Sequence, residues 1–266
     1  MRIALLSDIH GNDIALAAVL TDIATQGPID EYWILGDLLA IGAEPAAVYH
    51  RLQALNANQT VRYVRGNTDR FILSGDRPPP FLDEAYGDQQ QTYVYGEVMA
   101  NFAWTEGALA ALNGRDFIAS LPLSQRLDLP DGTRMLGVHC AQGDDAGFGF
   151  RPDSTDEQLR ALYANHEADL IFMGHTHLPG QRHIDGVHLV NLGSVSNPLM
   201  PHLEATYVLL EEGPAGYQVT PRQVPYDREA VLSKINEVNH PCAEYLQAFF
   251  RGDISRRYWQ GLVPIV

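Results

Sequence analysis

The stretch RIALLSDIH at residues 2–10 is a short apolar run that ends in two metal-type side chains, Asp8 and His10. A run of this length, bounded by polar residues, is typical of a buried strand. Four more apolar runs end in ligand-type residues, which are Asp37, Asn67, His139, His175 and His177. Because the carboxyl ends of parallel strands meet at one edge of an α/β sheet, we expect these side chains to lie together there.

The spacing of apolar residues predicts that strands and helices alternate over the first 70 residues. Asn12 or Asp13 begins one helix, Gly27-Pro28 ends it, and Pro45 lies in the first turn of the next. This β-α-β-α-β order favours a parallel sheet. The other predicted helices are at about 92–113, from Thr155, and in a tail from Asp227. The predicted strands are 2–7, 31–36, 60–65, 123–129, 133–140, 169–173, 187–192, 205–211 and 216–224.

The sequence contains no repeat, low-complexity tract or clear linker that would divide it. We therefore predict a single domain over residues 1–266, with a helical insertion at about 74–122 and a variable C-terminal tail from about 226. The insertion is placed after the third strand because residues 74–91 are rich in turn-forming and helix-breaking residues.

The composition bounds the class of protein and its partners. Hydrophobic residues make up 45% of the 266 residues, which is ample for a core. Acidic residues outnumber basic ones by 33 to 18, so the net charge is −15 with neutral histidines. Since no cluster of lysine and arginine is present to neutralise phosphates, the sequence disfavours a nucleic-acid partner.

The cysteine content and the apolar runs predict the location. Two cysteines, Cys140 and Cys242, do not form a disulfide framework. No apolar run reaches the length of a signal peptide or a membrane span. We therefore predict a cytoplasmic location and no membrane partner, and the sequence leaves the oligomeric state open.

The first and last polar motifs combine the residue types that transition metals bind. Asp8 and His10 share one face if the strand continues, and both lie at its tip if the strand ends at Asp8. Carboxylate and imidazole together suit Mn, Fe, Zn or Co better than Ca or Mg. In GHTH at 174–177, two imidazoles can point towards two adjacent cations. Taken singly, the first motif also fits a helix-capping aspartate beside a surface histidine, and the last motif also fits a polar loop with incidental histidines.

The middle motifs offer one ligand each. The two oxygens of Asp37 could bridge two cations, Asn67 offers a neutral amide oxygen, and His139 offers an imidazole. The alternatives are turn residues for Asp37 and Asn67 and a partly buried packing histidine for His139.

The ordered signature D-x-H, G-D, G-N, H and G-H-x-H resembles that of the calcineurin-like metallophosphoesterase superfamily. It is found at 8/10, 36/37, 66/67, 139 and 174/175/177, and the resemblance spans residues 1 to about 210. It implies a mixed α/β fold, a four-layer αββα sandwich of two mixed β-sheets flanked by helices. It also implies two divalent transition-metal ions, one held by Asp8, His10, Asp37 and His177, and the other by Asp37, Asn67, His139 and His175, with Asp37 bridging.

The resemblance predicts the reaction as well as the site. A hydroxide that bridges the two metals would attack phosphorus in line with the leaving oxygen. Asp37, Asn67 and His139 are the predicted catalytic residues. Manganese is the favoured metal, and Fe, Zn, Co and Ni also suit the mixed nitrogen and oxygen ligands.

Two motifs depart from those of the superfamily's protein phosphatases, which carry G-D-x-x-D-R-G and G-N-H-E. Here the runs are GDLLAIG at 36–42 and GNTD at 66–69. Thr68 replaces the histidine that would protonate the leaving group, Ala40 the aspartate that would orient it, and Ile41 the arginine that would bind phosphate. Because the poor alkoxide leaving group of phosphoserine needs that proton, efficient phosphoserine hydrolysis is disfavoured, and phosphodiesters are favoured over phosphomonoesters.

The G-N-x-D form is similar to that of the small bacterial and archaeal phosphodiesterase group of this superfamily. That group also has an N-x-G-S-V segment, which is matched at 191–195. It typically places P-R before a strand, whereas Met200 stands here where the arginine is expected.

Residues beside the ligands are candidates for substrate contact. Arg65, Thr68 and Arg70 lie in or next to the third motif, and Phe148 lies in the Gly-rich loop after His139, where it could stack on a base or aryl group. Asp69 could orient a ligand from behind. The alternatives are solvated arginines, a Phe148 packed on its own loop and a helix-capping Asp69.

The leading hypothesis is a metal-dependent hydrolase that cleaves phosphodiesters, or phosphoanhydrides of nucleotides, with a small phosphoester such as a nucleotide as substrate. One alternative is a superfamily member that acts as a binding or scaffold protein with little catalysis. The others are a phosphomonoesterase and a nuclease, the latter disfavoured by the charge of −15.

Overall fold

Two five-stranded mixed sheets form the centre of the molecule, and helices flank them, which confirms the predicted sandwich. The structure is a computed structural model that describes residues 1–164, 166–213, 216–253 and 255. The strands are β1 (Arg2–Leu6), β2 (Glu31–Leu35), β3 (Val61–Val64), β4 (Ser124–Asp128), β5 (Arg134–Val138), β6 (Leu170–Met173), β7 (Gly180–Ile184), β8 (Val187–Asn191), β9 (Ala205–Gly213) and β10 (Gly216–Val224).

The strand order brings the carboxyl ends of the parallel strands to one edge of each sheet. The first sheet has the order β10-β9-β1-β2-β3, and β1, β2 and β3 are parallel. The second has the order β4-β5-β6-β8-β7, and β5, β6 and β8 are parallel. The outer strands β10, β9, β4 and β7 pair antiparallel to their neighbours.

Nine helices are found in the described part of the chain. They are α1 (Asp13–Thr25), α2 (Pro45–Asn58), α3 (Asn67–Ser74), α4 (Leu82–Ala85), α5 (Gln89–Leu109), α6 (Gly114–Ala119), α7 (Asp156–Tyr163), α8 (Arg228–Glu237) and α9 (Ala243–Phe250). The side chain of Asn12 caps α1 by accepting from the Ala15 amide at 3.0 Å, and Pro45 occupies the first turn of α2.

The alternation of side chains along the strands builds two kinds of core. In β1, Ile3 and Leu5 face the other sheet, whereas Ala4 and Leu6 face the helices. Trp33 of β2 is fully buried between the sheets, where a Cβ on Gly137 would overlap its ring. Truncation of Trp33 to alanine would cost about 3–5 kcal/mol of stability.

The nine predicted strands lie within two residues of observed strands at each end. The helix predicted at about 92–113 is wrong at both ends, because α5 covers 89–109 and a turn separates it from α6. Residues 74–122 contain α4, α5 and α6, and the predicted domain boundaries stay a prediction. The predicted helical tail corresponds to α8 and α9, and residues 256–266 lie outside the described residues.

The strand β7 was not predicted, because its sequence is largely polar and lacks an apolar run. Two residues, Asp185 and Gly186, join it to β8, and both have positive φ, 50° and 85°. Asp-Gly with two positive φ angles is the favoured chemistry of a two-residue hairpin, so this dipeptide was the signal that predicts β7.

Candidate metal centre

The predicted ligands lie in loops that follow β1, β2, β3, β5 and β6, and these loops bind one another. The amide of Asp8 donates to the Gly36 carbonyl at 3.0 Å, and the amide of His175 donates to Asp8 Oδ2 at 3.0 Å. The Gly174 amide donates to the carbonyl of His139 at 2.9 Å. The contact from the His175 amide to the Asp8 carboxylate therefore joins the loops of the two sheets at this edge.

Five of the seven predicted ligands have the left-handed backbone conformation. The residues and their φ angles are Asp8 (56°), His10 (46°), Asp37 (54°), His175 (70°) and His177 (58°). Each such residue costs on the order of 1–3 kcal/mol, and this kind of strain concentrates at functional sites. The strand thus ends before Asp8, which is the second of the two geometries that the D-x-H spacing allows.

The first group of side chains contains His10, His177 and Asp8. Nδ1 of His10 donates to the Ala40 carbonyl at 3.0 Å, and Nδ1 of His177 donates to the Asn197 carbonyl at 3.2 Å. Their Nε2 atoms are then unprotonated in the neutral rings, and these two atoms lie 3.1 Å apart. Two lone pairs at this distance repel each other unless a cation or a proton lies between them.

Asp8 completes this group with an oxygen that has no other role. Its Oδ1 lies 3.2 Å from Nε2 of His177 and 3.8 Å from Nε2 of His10. This oxygen is buried and has no hydrogen-bond partner among the described residues, although a buried polar atom normally has one. A bound cation would satisfy it.

The second group gathers around the amide oxygen of Asn67. Nε2 of His139 and Nδ1 of His175 each lie 3.0 Å from Asn67 Oδ1. The opposite nitrogen of each ring is held by a carbonyl, Nδ1 of His139 by Leu35 at 2.7 Å and Nε2 of His175 by Gly147 at 3.0 Å.

Asp37 lies between the two groups. Its Oδ2 is 3.6 Å from Nε2 of His10, and its Oδ1 is 3.5 Å from Nε2 of His139. Among the described residues, two sets have ligand atoms that all lie within 4.8 Å of one another, Asp8 with His10 and His177, and Asp8 with Asp37 and His139. The residues therefore fit divalent metal binding, and the mixed nitrogen and oxygen donors suit a transition metal.

The buried carboxylates and imidazoles of the site shift the pKa values of one another. Burial would raise the pKa of Asp37, but the neighbouring His139 lowers it below its usual range. Burial would likewise raise the pKa of Asp8, but the neighbouring His177 lowers it. Burial would lower the pKa of His139, yet Asp37 raises it to about 10, whereas burial lowers the pKa of His175 to about 4. Two buried carboxylates thus attract positive charge, and a metal must displace the proton on His139.

Asp69 connects two of the ligand loops. It is fully buried and accepts hydrogen bonds from the amides of Asp37 (2.9 Å), Leu38 (3.0 Å) and Gly66 (3.0 Å). Burial and the charge of Asp37 raise its pKa to about 7. It therefore holds the loop that carries Asp37 and also caps the first turn of α3, which begins with Asn67.

The predicted substrate residues lie around the centre in different environments. Thr68 is buried, and its amide donates to Asp37 Oδ1 at 2.9 Å. Arg65 is half-buried at the end of β3, and Arg70 forms an ion pair with Asp145. Phe148 is 48% exposed, with the guanidinium carbon of Arg151 5.2 Å from its ring centre.

Three supporting residues were given no role by the sequence analysis. The Ser7 hydroxyl lies within hydrogen-bond distance of the Asp8 carboxylate and of the Leu35 carbonyl, and the Ser194 hydroxyl donates to the Asp8 carbonyl at 2.8 Å. The side-chain amide of Asn191 donates through Nδ2 to the Gly174 carbonyl at 2.9 Å. The N-x-G-S-V segment was the available signal for two of them, whereas nothing in the sequence marks Ser7.

Comparison with known proteins gives relatives over nearly the whole length. The uncharacterized protein MJ0912 of Methanocaldococcus jannaschii is 28% identical over 251 residues, which is 88% of this chain and 91% of that protein. The hypothetical protein PH1004 of Pyrococcus horikoshii has a similar fold, with a TM-score of 0.78, 22% identity and coverage of 94% of this chain and 97% of that one.

A third relative carries the name of an enzyme class. The structure of a metallophosphoesterase from Sphaerobacter thermophilus matches with a TM-score of 0.70 and 23% identity, over 95% of this chain and 98% of that chain. Residues 1–213 match the calcineurin-like phosphoesterase superfamily domain, which covers both sheets up to β9 and every predicted ligand. The chain therefore belongs to the calcineurin-like phosphoesterase superfamily, as its motifs predict.

Proposed function

We propose that the protein is a dinuclear metal-dependent phosphoesterase that hydrolyses small phosphodiesters or nucleotide phosphoanhydrides. The observation that carries this proposal is the pair of imidazole Nε2 atoms of His10 and His177, 3.1 Å apart with both Nδ1 atoms engaged by carbonyls. Membership of the superfamily supports a phosphoesterase hydrolase.

The chain's own residues would hold two cations in adjacent positions. Asp8, His10, Asp37 and His177 form one ligand set, and Asp37, Asn67, His139 and His175 form the other. The two aspartates offset part of the cationic charge, so the centre keeps a net positive charge that attracts a phosphate group. When bound, two such metals supply Lewis-acid activation of water and of the phosphoryl group.

The preference for diesters rests on what surrounds the leaving group. Thr68 stands where a proton-donating histidine is found in the protein phosphatases, and Ala40 and Ile41 replace the two other polar residues. General-acid help is worth about 10²–10⁴ in rate, so a substrate with a good leaving group is favoured. Arg65, Arg70 and Phe148 are the proposed contacts to phosphate and to an aryl or base group.

The test compares an aryl phosphodiester with the matching aryl phosphomonoester on Mn²⁺-loaded enzyme. We expect a higher kcat/KM for the diester. Thr68→His would supply a proton donor and is expected to improve an alkyl phosphodiester, which has a poor leaving group, relative to the aryl phosphodiester, and Thr68→Val serves as the matched control without a proton donor. A monoester preference in the wild type would contradict the proposed diesterase specificity.

Metal analysis separates an enzyme from a scaffold protein with the same fold. We expect the purified protein to hold two equivalents of a divalent transition metal, with manganese the proposed ion, whereas a scaffold would hold little. No described helix combines the length and the apolar character that a bilayer crossing requires. The cytoplasmic location and the small-molecule substrate stay predictions.

A further inference from the structure

We propose that the ion pair between Arg70 and Asp145 positions the second ligand group, Asn67, His139 and His175, without a comparable effect on the first. The proposal rests on the dinuclear function proposed above. It assigns to Arg70 a positioning role that acts through a buried carboxylate.

The ion pair joins two segments that both carry ligands of the second group. Arg70 lies on α3, one turn after Asn67, and its Nε–H is 3.0 Å and 2.9 Å from the two carboxylate oxygens of Asp145. Asp145 is only 8% exposed, so its charge needs this partner. Residues 67–74 and 140–150 are all described, and no other hydrogen bond joins these two segments.

The loop that carries Asp145 orients a ligand directly. The carbonyl of Gly147, two residues further on, accepts from Nε2 of His175 at 3.0 Å. This contact orients the ring so that Nδ1 of His175 faces Asn67 Oδ1, 3.0 Å away. His139, another ligand of the second group, immediately precedes the same loop. The Arg70–Asp145 pair thus fixes the distance between α3, which carries Asn67, and the loop that orients His175.

The first group is supported by other parts of the chain. His10 is held by the carbonyl of Ala40 and His177 by that of Asn197, and the Ser7 hydroxyl lies within hydrogen-bond distance of the Asp8 carboxylate. None of these contacts involves α3 or residues 140–150. Asp37, which both ligand sets share, accepts from the Thr68 amide of α3, so loss of the ion pair should weaken the second metal position more than the first.

The test is a calorimetric titration of metal-free protein with Mn²⁺, compared between the wild type and Asp145→Asn. We expect Asp145→Asn to bind one Mn²⁺ with nearly wild-type affinity and the second more weakly, by up to the ~10–100-fold that is lost when a direct hydrogen-bond partner of a metal ligand is removed. Arg70→Lys, which keeps the charge, should retain more of the second affinity than Arg70→Ala. The matched control is Glu31→Gln, which breaks the Arg62–Glu31 pair of similar burial at the far end of β2.

Two results would overturn the proposal. One is an Asp145→Asn protein that binds both ions with wild-type affinity, and the other is an equal weakening of both positions together with a lower melting temperature of the metal-free protein. Amide hydrogen exchange of the metal-free protein gives an independent readout, because residues 140–150 should exchange faster in Asp145→Asn while residues around Asn197 do not change. A wild type that binds fewer than two ions would instead refute the proposed function, and the exchange data would still decide the role of the ion pair.

Discussion

Asp37 is the residue that belongs to both proposed ligand sets, because its two oxygens face imidazoles of different groups. We expect Asp37→Asn to weaken both metal positions by at least the ~10–100-fold seen for outer partners, and to lower activity with them. Metal content by elemental analysis and turnover of an aryl phosphodiester check this. Asp185→Asn, a hairpin aspartate remote from the centre, is the control, and a variant with two metals and the wild-type rate would refute the shared role of Asp37.

We expect a second residue, His188, to make the stability of the protein depend on pH away from the metal centre. Burial, and then the stacked His183 ring 3.9 Å away, lower the pKa of His188 from 6.5 to about 4. Between these values the unfolded chain binds the proton and the folded chain does not, so stability is lost as the pH falls from 6.5 towards 4. From the two pKa values, His188 contributes at most about 2 kcal/mol of this loss at pH 5.

His188→Phe removes this titration and keeps a ring in the stack. We expect the free energy of unfolding, measured with urea at pH 7.5 and pH 5, to fall less in His188→Phe than in the wild type. The metal-site histidines titrate in both proteins, so their contribution cancels in the comparison. Equal losses in the two proteins would show that His188 is not the responsible group.

At the scale of the element, two glycines should respond to substitution in opposite ways. One lies inside a helix, where alanine has the higher propensity, and the other lies in a turn that needs a positive φ. Gly96 lies within α5 and Gly186 in the β7–β8 turn at φ 85°, and a Cβ at either would meet no atom within 4 Å. We expect Gly96→Ala to stabilise the protein by up to about 1 kcal/mol and Gly186→Ala to destabilise it by about 1–2 kcal/mol. Urea unfolding of each variant checks the two signs, and the same sign for both would contradict this account.

The sequence predicted the buried strands well and the short polar elements poorly. Runs such as 3–6 and 170–173 are apolar because both of their faces are covered, so they are easily recognised. The polar strand β7 and the helix α3 carry no such run. α3 was also obscured because its first residue, Asn67, follows directly on the third predicted strand as a candidate ligand.

At the scale of the whole molecule, the ligands belong to both sheets. Asp8, Asp37 and Asn67 follow strands of the first sheet, whereas His139, His175 and His177 follow strands of the second. The residue types and their order predicted which side chains lie together. The carbonyl partners of the imidazoles and the Arg70–Asp145 pair could not be predicted, because they depend on how loops from distant parts of the chain meet.

A metal that binds residues of both sheets should stabilise the whole fold. We expect addition of Mn²⁺ at 100 times its Kd to raise the unfolding free energy by about 2.7 kcal/mol per site, and EDTA to reverse this rise. Thermal unfolding with and without Mn²⁺ checks the effect. Asp37→Asn is the control and should respond much less, whereas an unchanged melting temperature in the wild type would speak against a metal that links the sheets.

The main-chain carbonyls that hold the ligand imidazoles have a consequence for how this site can vary among relatives. Leu35, Ala40, Gly147 and Asn197 each offer a main-chain oxygen to a ligand ring, and every amino acid possesses that oxygen. Substitution there can leave ring orientation intact, so divergence at these four places need not report a change of chemistry. Relatives should be compared by loop length and backbone path, which decide where those oxygens end up.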